Sequence, residues 1–112
     1  MVCLRGMIAD KWLDLARKGI NHNLQCPGRF FRDHTPAGSS SRYVFEYWTW
    51  PDTPEIKDIV LDSPVAQIAG ELMQAEQVNM VMDNWFMREA GASNGAPWHH
   101  DEPYFDFEGT LC

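Results

Sequence analysis

The spacing of apolar residues along the chain changes several times, and each change marks an element. Between residues 7 and 18, Ile8, Trp12, Leu15 and Ala16 recur at i, i+4, i+7 and i+8, the spacing of one face of an amphipathic helix. Lys18 falls in the last turn of that helix and Gly19 offers a left-handed stop. From Asn21 to Arg42 the periodicity disappears. Pro27-Gly28, Pro36, Gly38 and Ser39-Ser40-Ser41 predict loop there, with Arg29-Phe30-Phe31-Arg32-Asp33 as a short apolar clip between charges. Tyr43 to Trp50 is aromatic and β-branched and predicts a strand or extended aromatic wall. Thr53-Pro54 and Ser63-Pro64 each set a capping hydroxyl before a proline at the first helical position, which predicts two short helices. In the second, Val65, Ile68, Ala69, Leu72 and Met73 form a stripe expected to be buried. Val78 to Arg88 alternates with period two and reads as a strand, with Asn84 and Arg88 on one face. Glu89 to Ala96 is a loop rich in small and polar residues. Helices gathered ahead of strands predict an α+β fold.

Composition narrows the class. A chain of 112 residues, 45% hydrophobic and 12% aromatic, is one domain or part of one, with enough apolar surface for a packed body. Its formal net charge of −7 argues against nucleic acid or an anionic membrane as the main partner. Cys3, Cys26 and Cys112 form no CxxC pair and are odd in number, which predicts reduced thiols. No apolar run approaches the length of a membrane span, and Asp10, Lys11 and Asp14 interrupt any signal-peptide pattern, so the cytoplasm is the expected compartment.

The densest chemistry lies at Pro97-Trp98-His99-His100-Asp101-Glu102-Pro103-Tyr104-Phe105. In an extended segment, side chains at i and i+2 share a face about 7 Å apart, so a His-x-carboxylate pair can reach one ion. Such a pair is two-thirds of the facial triad that holds non-haem Fe(II) and leaves adjacent positions open for co-substrate and O2. By spacing alone, His99 with Asp101 and His100 with Glu102 are equal candidates, and a solvated charged turn is the structural alternative. No histidine follows His100, while His22 and His34 both precede the motif in or near the loop-rich stretch. A zinc hydrolase is disfavoured, because the sequence has no HExxH pattern and no third ligand close by.

Trp98-His99-His100-Asp101-Glu102-Pro103-Tyr104-Phe105 resembles the Trp-His-x-Asp-x-Pro-Tyr-(Trp/Phe) signature of the phytanoyl-CoA dioxygenase family. Upstream, Asp83-Asn84-Trp85-Phe86-Met87-Arg88-Glu89-Ala90-Gly91 is similar to that family's strand running into a Lys-x-Pro-Gly loop. Asp62-Ser63-Pro64-Val65-Ala66-Gln67-Ile68-Ala69 is similar to the helix before that strand, and Arg29 to Asp33 is a fainter echo of an earlier segment. The likeness covers residues 28 to 109 and is most specific from 62 to 109. It departs at Arg88, where the family usually has lysine, and at Ala90, where proline is common.

The resemblance implies an Fe(II)- and 2-oxoglutarate-dependent dioxygenase that hydroxylates a small-molecule substrate with O2. It selects His99 and Asp101 as the iron ligands, with His100 the variable middle residue, and no catalytic residue beyond the ligands. Asn84 and Arg88 are then expected to face 2-oxoglutarate, and Tyr104 and Phe105 to wall the pocket. The implied fold is an incomplete double-stranded β-helix, a cupin-like jelly roll with N-terminal helices. Residues 1–76 would form the helical and loop part, and 77–112 the first barrel strands. With the distal histidine, the basic anchor of 2-oxoglutarate and the later strands missing, this chain is expected to be a fragment without turnover of its own. Its exposed strand edges would favour self-association. A non-catalytic binding module derived from a truncated jelly roll is the competing expectation.

Overall fold

The computed structural model describes residues 3–92, 95 and 98–100. Among them the order is α1 (Asp10–Gln25), β1 (Arg32–Asp33), β2 (Tyr43–Tyr47), α2 (Pro54–Asp62), α3 (Val65–Met73) and β3 (Asn84–Arg88). The fold is α+β. The three strands form one antiparallel sheet in the order β1-β2-β3, so strands from both sides of residue 76 share it. Among the described residues no helix is long and apolar enough to cross a membrane. Cys3 and Cys26 are exposed free thiols.

Helix α1 begins later than the apolar spacing predicts and runs well past Gly19. A Cβ at Gly19 would lie 2.8 Å from Ile56 Cδ1 and 2.9 Å from Ile56 Cγ1. The missing side chain therefore lets α1 and α2 approach closely, and this packing outweighs the local stop signal. Termination waits for Pro27, which disfavours helical backbone at the preceding residue. Cys26 accordingly leaves the helix at φ −129° and ψ 72°. The α1–α2 contact also buries Asn23 and Thr53 beside Ile56. Pro54 opens α2 as predicted, but the Thr53 hydroxyl does not cap it. That hydroxyl donates to Asn23 Oδ1 at 2.8 Å, tying the start of α2 to α1.

Both predicted strands are shorter in the structure, for one shared reason. Trp48 takes a left-handed backbone at φ 61°, which ends β2 at Tyr47. Its N–H still reaches Asp83 O at 3.0 Å, but the ladder goes no further in that direction. Residues 78–83, expected to begin the last strand, are thus not paired in the strand ladder and remain outside the sheet. The Asp83 carboxylate fixes the turn: its Oδ1 accepts the Thr49 N–H at 2.9 Å and the Trp50 N–H at 3.1 Å, and its Oδ2 accepts the Thr49 hydroxyl.

Helix α3 begins at Val65, one residue later than the Ser63-Pro64 pair predicts, with Pro64 at the cap position and the Ser63 hydroxyl accepting the Val65 N–H at 3.4 Å. Its stripe is not buried. Val65 is 51% exposed and Leu72 61%, and Ile68, Ala69 and Met73 are half-covered. Periodicity identifies which face is apolar, but burial also needs an element to pack against, and among the described residues none covers this one.

Candidate functional site

The sheet separates two chemistries. On one face, Val44, Glu46 and Trp85 are buried and Met87 is half-buried, with Phe31 6.2 Å from the Trp85 ring. Glu46 is only 3% exposed. Its Oε1 accepts the Gly28 N–H at 2.7 Å, in a fit so close that a Cβ at Gly28 would lie 2.5 Å from that oxygen. Burial pushes the Glu46 carboxyl above its ordinary value, the Gly28 N–H opposes that shift and the nearby Asp83 carboxylate adds to it. Glu46 Oε2 and Trp85 Nε1, on residues paired across the strands, are both buried without a hydrogen-bond partner among the described residues.

The opposite face is open. Strand register sets Tyr43 beside Arg88, Phe45 beside Phe86 and Tyr47 beside Asn84. Asn84 and Arg88 therefore share a face, as the alternation predicts, and both are exposed. They stand at opposite ends of the strand, about 14 Å apart along it. The Arg88 guanidinium lies 5.3 Å over the Tyr43 ring. Glu89, the adjacent carboxylate, is committed elsewhere: it accepts the Arg42 N–H at 2.8 Å and forms an ion pair with Arg42 Nη2 at 2.9 Å. Those contacts, the backbone one foremost, hold the Glu89 carboxyl below its ordinary value. No carboxylate pairs with Arg88 among the described residues.

The edge strand extends this face. Arg32 is paired with Phe45 in register, and its guanidinium lies 5.9 Å from the Tyr47 ring. Phe30 stacks on Tyr47 at 4.9 Å with Arg29 above it at 5.1 Å. The His34 ring is 5.0 Å from Phe45, so this histidine belongs to the aromatic surface. His22 lies on α1, with Nδ1 3.9 Å from Glu55 Oε2. Arg32 and Phe86 escape sequence reasoning as site residues. The period-two run Tyr43, Phe45, Tyr47 is the signal that could have found the face they share.

His99 and His100 are exposed. Asp101, Glu102, Tyr104 and Phe105 lie outside the described residues, as does Cys112. Among the described residues no three of His, Cys, Asp and Glu come together in a group able to hold a metal ion. An open hollow of about 540 Å³ beside α3, lined by Gln67, Gly70, Glu71, Gln74 and Val78, includes none of the candidate site residues. No family model, curated protein or solved structure matches the chain.

Proposed function

We propose that this chain is an Fe(II)- and 2-oxoglutarate-dependent dioxygenase similar to the phytanoyl-CoA dioxygenase family, built on a jelly roll. The observation that carries the proposal is the Trp98-His99-His100-Asp101-Glu102-Pro103-Tyr104-Phe105 signature following a strand that shows Asn84 and Arg88 on one exposed face. His99 and Asp101 would hold iron, and Arg88, with no carboxylate partner among the described residues, would meet an anionic co-substrate. Bound iron would supply the oxidative step that couples 2-oxoglutarate decarboxylation to substrate hydroxylation. The described residues do not assemble a complete ligand set, so no step is assigned to them beyond binding and orienting anionic ligands.

Two measurements test this reading. Mn(II), standing in for Fe(II), should raise the thermal midpoint of the chain, and the rise should vanish in both His99→Ala and Asp101→Ala. Succinate release from 2-oxoglutarate with Fe(II) and O2 should fall in the same two variants. Absence of any metal-induced shift would leave the non-catalytic binding module as the better account, and succinate release unaffected by His99→Ala and Asp101→Ala would remove the ligand assignment.

A further inference from the structure

The open face of the sheet holds more aromatic surface and more positive charge than a short aliphatic dianion requires. Its centre is a continuous ring patch: His34 to Phe45 at 5.0 Å, Phe45 to Phe86 at 5.4 Å and Tyr43 to Phe45 at 6.2 Å. Phe86 is 60% exposed. Cations stand at both ends. Arg88 lies over Tyr43, while Arg32 lies over Tyr47 and Arg29 over Phe30, which stacks on Tyr47. Tyr43 and Tyr47 are four residues apart in β2, so the two positive poles are separated by about 14 Å of aromatic surface.

The charge on this face runs against that of the chain. The sequence carries 16 acidic and 9 basic residues. Yet the described register positions of this face, on β1, β2 and β3, include two arginines and no aspartate or glutamate. A second copy of the chain would set arginine against arginine here, and an uncharged ring would leave both poles unused. The complementary ligand is flat and negatively charged.

We propose that this strip binds a small molecule consisting of a flat ring system with a carboxylate, its ring against Phe45 and Phe86 and its carboxylate at the Arg32–Arg29 pole. Arg88, at the other pole, remains available to a second anion. Calling this ligand the substrate rests on the oxygenase reading, with 2-oxoglutarate as the second anion; the binding itself needs no metal. Stacking supplies most of the contact area, and the guanidinium selects the acid over a neutral ring of equal size.

The test is calorimetric titration of the full chain, in chelator to remove metal, with 2-naphthoate and with 2-naphthylmethanol as its neutral counterpart. Naphthoate should bind and the alcohol should bind at least tenfold more weakly, on the order of the loss expected for one charge-assisted hydrogen bond. Arg32→Gln should weaken naphthoate binding by roughly tenfold, and Phe86→Leu, which keeps an apolar side chain but removes the ring, by roughly fivefold. Arg17→Gln, which removes the same charge from the exposed side of α1, should leave binding unchanged. Absence of naphthoate binding, equal affinity for the alcohol, or indifference to both Arg32→Gln and Phe86→Leu would overturn the proposal. Both substitutions are at exposed positions, and unchanged far-ultraviolet circular dichroism confirms that any loss is local. Titration of the same proteins with 2-oxoglutarate and Mn(II) separates the two readings. Failure there with naphthoate binding intact removes only the oxygenase assignment, and failure with naphthoate alone removes only the substrate class.

Discussion

Trp85 and Phe86 are neighbours in β3, yet one is 6% exposed and the other 60%. They project to opposite faces of the same sheet, and the difference between the faces organises the molecule. One side collects Val44, Glu46, Trp85 and Phe31 into a small core, where the buried Glu46 carboxylate accepts the Gly28 N–H. The other sets aromatic rings and arginines before solvent. The first face is buried, whereas the second carries half-buried rings with the exposed Phe86, Arg32 and Arg88 among them. A large apolar surface left open and edged by charge is the usual signature of a binding face.

The largest test of that contrast compares the two neighbours directly. Trp85→Ala should lose about 3–5 kcal/mol of folding stability, the usual cost of emptying an aromatic core site. Phe86→Ala should cost less than about 1 kcal/mol, because little of its ring leaves water on folding. Urea denaturation of the two variants checks this, and equal losses would erase the distinction between the faces.

Next in size is the turn that ends the sheet. Asp83→Ala removes the acceptor for the Thr49 and Trp50 N–H groups and the Thr49 hydroxyl. A loss of about 2–3 kcal/mol is expected, the cost of leaving partly buried donors unmet. Asp83→Asn should recover part of it, since an amide oxygen still accepts. Denaturation midpoints of the two variants separate this turn from a passive loop.

The smallest effect is a pH dependence set by Glu46 on the packed face. Its carboxyl is raised in the folded state, so the folded chain holds that proton more tightly than the unfolded chain. The corresponding stability is fully present below the ordinary glutamate value and is lost as pH rises through the raised value. Glu46→Gln should flatten thermal stability across that window. Glu89, lowered by Arg42, acts with the opposite sign: its stabilisation is present above the ordinary value and fades as pH falls through the lowered one. The two contributions can therefore be separated by titrating the midpoint of each variant.

Much of this architecture is legible in local sequence. Pro54 and Pro64 mark the starts of α2 and α3, and the alternation from Asn84 to Arg88 assigns the strand's two faces correctly. What local sequence misses are decisions made elsewhere in the chain. Gly19 looks like a helix stop until Ile56 packs against it, and Thr53 looks like a cap until Asn23 takes its hydroxyl. Residues 78–83 alternate like a strand but lose their ladder pairing when Trp48 turns away. The stripe on α3 is written in the sequence, whereas its cover is not. For the candidate site, Asn84 and Arg88 share one face, as the alternation predicts. Arg32 and His34 join them only through the β1–β2 register, a contact that no spacing along the chain announces. The proposed ligand pair rests on sequence motif alone, because Asp101 lies outside the described residues.

The central claim is that the aromatic–arginine face binds ligand while the opposite face holds the fold. The most direct measurement follows side-chain aromatic NMR signals of the full chain during titration with 2-naphthoate. The account predicts that Phe45 and Phe86 ring signals move together and saturate, while the Trp85 indole signal stays in place. Saturable shifts centred on Trp85 or on the residues of α3, with Phe45 and Phe86 unmoved, would contradict it.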